Sequence, residues 1–464
     1  DDVEQAMFAR DWRLGYNPRQ PPLYTWLLFG GISVLGQSLL THLIVKYSAL
    51  AAMYAASYGA ARQLLQSPQS AALATYALVL LYNVGYGAHV GYTHSLLLSV
   101  FIFATLWTLA RAFESGRLRD YVLLGIALGL GFLTKFGFAL FVAPLLVGCC
   151  FAAPLRRGLF NWRTLIALAI AALILAAPVY WMLHVRYSYE NTLRQVAHVA
   201  AHQDYLANVG AGLLSLVAGT PTFLAPFWLV ALLFWPSLRK PRDPARPWLK
   251  AMALALALTL AMLVAFVLIA QVTDFKPRYM HPILLTAPLL FFLWLDHRPT
   301  DQSRERWFAG LVAAFVLIVF GGLAGQAILE PAQCRNCWLQ MPLPALARDI
   351  EAQGLAGGTI VTADARIGGN LGLYLRNSRI LTPDFPMADA SATGRGQCLL
   401  VWNSRILGEA PPGPLASFLT EHFGGGAPAG PIRYVAAPLL RGGARTDSFG
   451  VMRVSGRDGD CSPN

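Results

Sequence analysis

Three carboxylates, Asp1, Asp2 and Glu4, stand within the first four residues, and cations recur at Lys135, Lys276 and Arg278. A carboxylate can take the proton of an attacking hydroxyl, and paired cations can hold a phosphate as negative charge develops on it. These residue types therefore suit displacement at a phosphate-linked carbon. Each also has a plainer reading. Asp1 and Asp2 open a predicted short helix running to about Trp12, where an acid serves as an N-cap. Glu4 lies on the same helical face as Asp1 and is a second candidate for the base. Lys135 reads otherwise as a snorkelling lysine, and Lys276 and Arg278, flanking Pro277, as interface anchors.

The elements that must position these groups are membrane helices. Of 464 residues, 56% are hydrophobic and only 13% charged, with a mean hydropathy of +0.49, so a soluble chain of this composition could not cover its own surface. Apolar runs near the spanning length of roughly 20 residues fall at 38–61, 70–86, 92–112, 120–134, 136–153, 164–185, 209–236, 250–271, 279–296 and 308–328. The expectation is an α-helical polytopic membrane protein with about ten spans. A further span ahead of Asp1 would make about eleven in a longer protein. Arginine and lysine cluster in alternate loops, among them Arg111, Arg117, Arg119, Arg156, Arg157, Arg163, Arg246 and Lys250, which places those loops in the cytoplasm. Residues 1–37 and 329–464 then lie outside, on either side of a membrane domain over 38–328. The net charge of +12 is mainly this bias and calls for no nucleic acid. Lys135 closes a span of about 15 residues, roughly 22 Å at 1.5 Å per residue, which sets its ammonium near the outer interface. Lys46, inside a span, needs a polar partner or cavity.

Beyond about residue 340, short β-rich runs at 358–363, 379–381, 397–402 and 449–454 alternate with helical patterns near 343–354 and 414–423, the mark of a small external α/β domain. Cys334, Cys337, Cys398 and Cys461 all belong to this external part. A single CxxC is weak evidence for zinc, and an oxidising compartment favours a Cys334–Cys337 disulfide. Cys149 and Cys150, within a span, read as small apolar residues.

The opening acids, the Gln20-Pro-Pro-Leu-Tyr-Thr-Trp26 run, Gly129-Leu-Gly-Phe-Leu-Thr-Lys135 and Phe275-Lys-Pro-Arg-Tyr-Met-His-Pro282 together resemble the GT-C membrane glycosyltransferases. The resembling branch holds the lipid A aminoarabinose transferases, the protein O-mannosyltransferases and the bacterial lipopolysaccharide galacturonic acid transferases. The resemblance implies a multi-pass protein of the bacterial inner membrane with a periplasmic active site and C-terminal domain. Its implied reaction moves a sugar, with inversion, from a polyprenyl-phosphate donor to a lipid or lipopolysaccharide acceptor. It places the catalytic acid at Asp1, although the family has Asp-Glu where this chain has Asp1-Asp2. Lys135, Lys276 and Arg278 would bind the donor phosphate, and Arg19, Gln20, Tyr24, His94 and Tyr279 the sugar or acceptor. Arg19-Gln20 stands where the aminoarabinose enzymes carry an acid and a lysine, and Thr93-His94 where the family has an acid. These departures leave His89 and His94 without a metal ligand set, so no metal and no cofactor beyond the donor is assigned. A guanidinium at Arg19 suits a neutral or acidic sugar better than a cationic aminopentose, unless it pairs with Asp11 or Asp2. The polar segment Arg186, Tyr187, Tyr189, Glu190, His198, His202 and Asp204 reads as an amphipathic surface helix or an acceptor site. Protein O-mannosylation is a variant of the same reading. A lipid or sugar transporter or flippase is the competitor from another class, but its ionisable residues would gather near mid-membrane rather than at one face.

Overall fold

The computed structural model describes residues 2–184, 204–238, 246–275, 277–296, 298, 301–334, 337–383, 398–423, 427–428, 430–441 and 445–455. Helix α1 (Asp2–Phe8) ends four residues short of the predicted Trp12, where the chain leaves helical geometry. Then come α2 (Leu23–Leu35), α3 (Leu39–Leu64), the bent pair α4 (Pro68–Leu80) and α5 (Asn83–Val90), α6 (His94–Ser115), α7 (Leu118–Phe132), α8 (Ala139–Cys150) and α9 (Ala153–Leu159). They are followed by α10 (Trp162–His184), α11 (Tyr205–Ala231), α12 (Pro247–Ala270), α13 (His281–Leu284), α14 (Ala287–Leu295) and α15 (Gln302–Gln333).

Among the described residues, six helices are long and apolar enough to cross a membrane, or eight if each bent pair is one span. The ten predicted spans are thus not all span-length helices. The run at 70–86 breaks by 70° between α4 and α5, and the run at 136–153 is followed by a 117° bend into α9. Two further runs fold into helices too short to count: α7 has 15 residues, about 22 Å long against a hydrocarbon core of about 30 Å, and the stretch His281–Leu295 is a shorter apolar helix. Hydropathy reports how apolar a window is; it does not report where the helix axis turns.

The chain divides into two compact units, one of residues 17–24 and 46–319, the other of residues 1–16, 25–45 and 320–464. In the first, α7 packs along α6 and α10, and α8 packs along α12. The second contains an α/β layer: α16 (Leu343–Ala352), β1 (Thr359–Thr362), α17 (Ala365–Tyr374), β2 (Arg379–Leu381), β3 (Cys398–Asn403), α18 (Gly413–Phe423), β4 (Ala427–Pro428), β5 (Arg433–Pro438) and β6 (Thr446–Ser455). The strands lie in the order β2-β1-β3-β6-β4, with β5 also on β6; β2, β1 and β3 are parallel, and β6 runs antiparallel to β3. Successive strand residues face opposite sides. Ile360, Leu399 and Val401 meet Leu346, Ile367 and Leu371, while Val361, Leu400 and Trp402 meet Leu415 and Phe418.

Helix α1 belongs to the first of these two cores. Met7, Phe8 and the nearby Tyr16 are buried with the residues of α16, α17 and the sheet. The approach is close: a Cβ placed on Gly369 of α17 would come 2.1 Å from the carbonyl oxygen of Val3. Glycine is what allows the two backbones to meet. Arg10 extends the contact, donating from Nη1 to the Ser378 carbonyl at 2.8 Å and from Nη2 to the Arg376 carbonyl.

Candidate active site

In the helical unit, the separate motifs converge around Lys135. Helix α7 stops as Leu133 and Thr134 turn back onto Gly129 and Gly131, with Thr134 Oγ1 donating to the Gly131 carbonyl at 2.6 Å. Lys135 follows in extended geometry. Its Nζ donates to Ser95 Oγ at 2.9 Å, one residue into α6 from the buried His94. Ser99, one turn along, donates to the Ser95 carbonyl at 3.0 Å and lies 2.6 Å from Nε2 of His281. His281 is buried, its Nδ1 has no hydrogen-bond partner among the described residues, and its ring meets Phe223 edge-on at 6.2 Å. The 20–26 run closes the group: the Leu23 N–H donates to the Leu133 carbonyl at 3.1 Å, and the Tyr24 ring lies 5.7 Å from that of His94. A half-buried ammonium held by a hydroxyl has the chemistry to meet an anionic group.

The carboxylates belong to the other unit. Asp1 lies outside the described residues; Asp2 and Glu4 are half-buried on α1. Gln5, buried beside them, accepts a hydrogen bond from Thr25 Oγ1 at 2.6 Å. The loop that follows is fixed at several points. Tyr16 donates to the Asp11 carbonyl at 2.7 Å and accepts from the Arg13 N–H at 3.1 Å, and burial pushes its phenol above its ordinary range. Trp26 Nε1 donates to the Arg13 carbonyl at 2.7 Å, and its ring stacks on Trp12. The structure therefore supports α1 through the α/β layer and the 25–26 end of the 20–26 run.

Arg19-Gln20 forms a turn on Asn17, whose Oδ1 accepts from Arg19 N at 2.9 Å and whose carbonyl accepts from Gln20 N at 3.0 Å. Asp11, one of the acids proposed for Arg19, forms an ion pair with Arg13 at 3.4 Å. Tyr279 is half-buried in the 277–280 turn; Lys276, the side chain of Arg278 and the segment 185–203 lie outside the described residues. His89 meets the Tyr47 hydroxyl at 3.2 Å, near the buried Lys46. Cys334 and Cys337 are joined in a disulfide, Cys398 is disulfide-bonded as well, and Cys149 and Cys150 are free. No group of three or more His, Cys, Asp or Glu among the described residues is placed to hold a metal ion. Sequence reasoning missed Ser95, Ser99 and the role of His281. Two serines four residues apart, at the start of an apolar span beside His94, were the available signal.

The chain is similar to known proteins over most of its length. Residues 19–181 match the dolichyl-phosphate-mannose-protein mannosyltransferase family. The chain is 28% identical over 415 residues to the lipopolysaccharide core galacturonosyltransferase RgtA of Rhizobium johnstonii, covering 87% of this chain and 82% of that one. To RgtB of the same organism, also a lipopolysaccharide core galacturonosyltransferase, it is 27% identical over 434 residues, covering 92% and 87%. This chain is a membrane glycosyltransferase that carries a domain similar to that mannosyltransferase family. Its fold is that of ArnT from Cupriavidus metallidurans, solved with undecaprenyl phosphate bound: the TM-score is 0.60 at 15% identity, over 98% of this chain and 93% of that one. The apo form of the same protein matches with a TM-score of 0.59. The family match begins at Arg19 and contains Tyr24, His94, Ser95, Ser99 and Lys135 of the motif cluster; His281, α1 and the α/β layer lie outside it.

Proposed function

We propose that this glycosyltransferase moves a sugar, with inversion, from a polyprenyl-phosphate carrier to lipid A or the lipopolysaccharide core, at the periplasmic face of the bacterial inner membrane. The observation that carries the reading is Lys135, presented by Ser95 at the meeting point of the 20–26, 129–135 and 275–282 motifs. In the reaction, the acceptor hydroxyl oxygen forms a bond to the anomeric carbon as the bond from that carbon to the carrier phosphate breaks. The phosphate leaves with the electron pair, and the hydroxyl proton passes to a carboxylate. Asp1 is the base in this reading, with Asp2 and Glu4 as its neighbours. Lys135 neutralises the departing phosphate, with Lys276 and Arg278 as a second clamp. Arg19, Gln20, Tyr24, His94 and Tyr279 contact the sugar or acceptor. Residues 1–37, 38–328 and 329–464 serve as catalytic loop, membrane domain and periplasmic domain.

An acidic sugar is the favoured donor. The relatives named as galacturonosyltransferases support it, and so does the chemistry of Arg19, whose planar fork suits a carboxylate and repels an ammonium. The test offers the purified protein polyprenyl-phosphate galacturonate, hexose and aminoarabinose in parallel, with a lipopolysaccharide core acceptor. Transfer of galacturonate is expected, with Asp1→Asn slower by about 10²–10⁴-fold and donor binding retained. Preference for aminoarabinose would overturn the sugar assignment, and full activity of Asp1→Asn would overturn the base.

A further inference from the structure

A cavity of about 940 Å³ lies in the helical unit, with leucines 256, 260, 284 and 290 along its depth and Arg246 and Lys250 among its polar lining. It is not the Lys135 site. Lys135 precedes the turn leading into α8, whereas Phe151 and Pro154, which line the cavity, follow the other end of that helix. With 12 residues in α8, the two ends stand about 18 Å apart. Likewise His281 opens α13, and Trp294 of the cavity wall lies near the far end of α14.

The two cations at this end differ in state. Arg246 is already neutralised by Asp296, Nη1 to Oδ2 at 2.6 Å, with both side chains largely buried. Lys250 is exposed and makes no ion pair among the described residues. From Lys250 in the first turn of α12, the apolar lining runs inward to Leu260, about 15 Å along the helix axis. Trp228 and Trp294 also line the cavity and are 46% and 37% exposed. Indole rings of this kind settle at headgroup level in a bilayer.

We propose that this cavity is a binding site for an anionic phospholipid, its phosphodiester on Lys250 and an acyl chain along the leucines. Charge complementarity selects the occupant: a zwitterionic lipid brings its own cation toward Lys250, whereas a phosphatidylglycerol headgroup does not. The glycosyl carrier has a single phosphate, and when that phosphate is at Lys135 it cannot also meet Lys250 at the far end of α8. The bound lipid is therefore a second molecule, distinct from the donor. This inference rests on the membrane reading but not on the assignment of the sugar.

Native mass spectrometry of the delipidated full chain tests it, with dioleoylphosphatidylglycerol, dioleoylphosphatidylcholine and undecaprenyl phosphate added at equal concentrations. Phosphatidylglycerol should be retained about threefold to fivefold better than phosphatidylcholine, whose choline cation offsets the attraction of its phosphate to the exposed Lys250. Lys250→Gln should remove that preference while leaving retention of undecaprenyl phosphate unchanged. Leu256→Trp, which fills the apolar depth and spares Lys250, should lower phosphatidylglycerol retention as well. Equal retention of the two phospholipids, or an unchanged preference in Lys250→Gln, would overturn the site. Displacement of phosphatidylglycerol by undecaprenyl phosphate, one for one, would overturn it too, by making the cavity the path of the carrier's tail.

Discussion

Gly369→Ala is the most revealing single substitution, because it changes the position of the acidic helix without touching any group that does chemistry. The added Cβ would lie 2.1 Å from the Val3 carbonyl oxygen, 2.8 Å from its carbon and 3.0 Å from its Cα, so the obstacle is backbone and not a side chain that can swing away. To restore ordinary contact near 3.5 Å, α1 must retreat by roughly 1.4 Å. Overpacking of this kind costs about 1–3 kcal/mol, but replacing glycine by alanine inside a helix returns about 0.5–1 kcal/mol. The net loss of stability is therefore small. Turnover is far more sensitive, because a displacement of about 1 Å of a catalytic group costs about 10²-fold. The expected result in a purified transfer assay is kcat lower by about a hundredfold, with donor KM unchanged. Gly372→Ala on the same helix is the control: its Cβ would meet Ile380 Cδ1 at an ordinary 3.6 Å. Wild-type kcat in Gly369→Ala, or an equal loss in Gly372→Ala, would refute the view that α17 sets the position of the acids proposed as catalytic.

Three further outcomes follow from the same structure. Lys135→Ala should raise the donor KM and lower kcat together, the latter by about 10²–10³-fold, since the ammonium meets both the resting phosphate and its growing charge; unchanged kinetics would make Lys135 a membrane anchor. Ser95→Ala removes the hydroxyl 2.9 Å from Lys135 Nζ and should cost about fivefold in kcat/KM, corresponding to about 1 kcal/mol, with Ser95→Thr restoring most of it; equal kinetics in both variants would dissociate Ser95 from phosphate binding. Cys334 and Cys337 should resist thiol labelling under denaturing conditions until reduced, and labelling without reductant would contradict the bond.

Much of the fold is written in local patterns. The strands at 359–362, 379–381, 398–403 and 446–455 lie on the β-rich runs because alternation and β-branched content are properties of a few adjacent residues. The helices α3, α6, α10, α11, α12 and α15 follow the apolar windows for the same reason. What was not legible depends on distant partners. Nothing near Asp2 announces that Met7 and Phe8 will be buried against Ile367 and Leu371, more than 350 residues away. The break between α4 and α5 is equally hidden, since 70–86 remains an apolar window whichever way its axis turns. At the site, the chemical type of Lys135 was evident, but its partner was not. The link from Lys135 through Ser95 and Ser99 to His281 joins three separate segments, and a periodicity along one of them cannot display it.

The packing of α1 on α17 also sets an order of events during synthesis. The ribosome makes Val3 some 366 residues before Gly369. At about 5–20 residues per second, that interval lasts about 20–70 s. Throughout it, Met7 and Phe8 exist without the surface that will bury them, while the membrane helices are being inserted. The acidic helix is then captured only when α16, β1 and α17 have been made. The helices of the first unit can thus be in place before α1 has the surface that buries it.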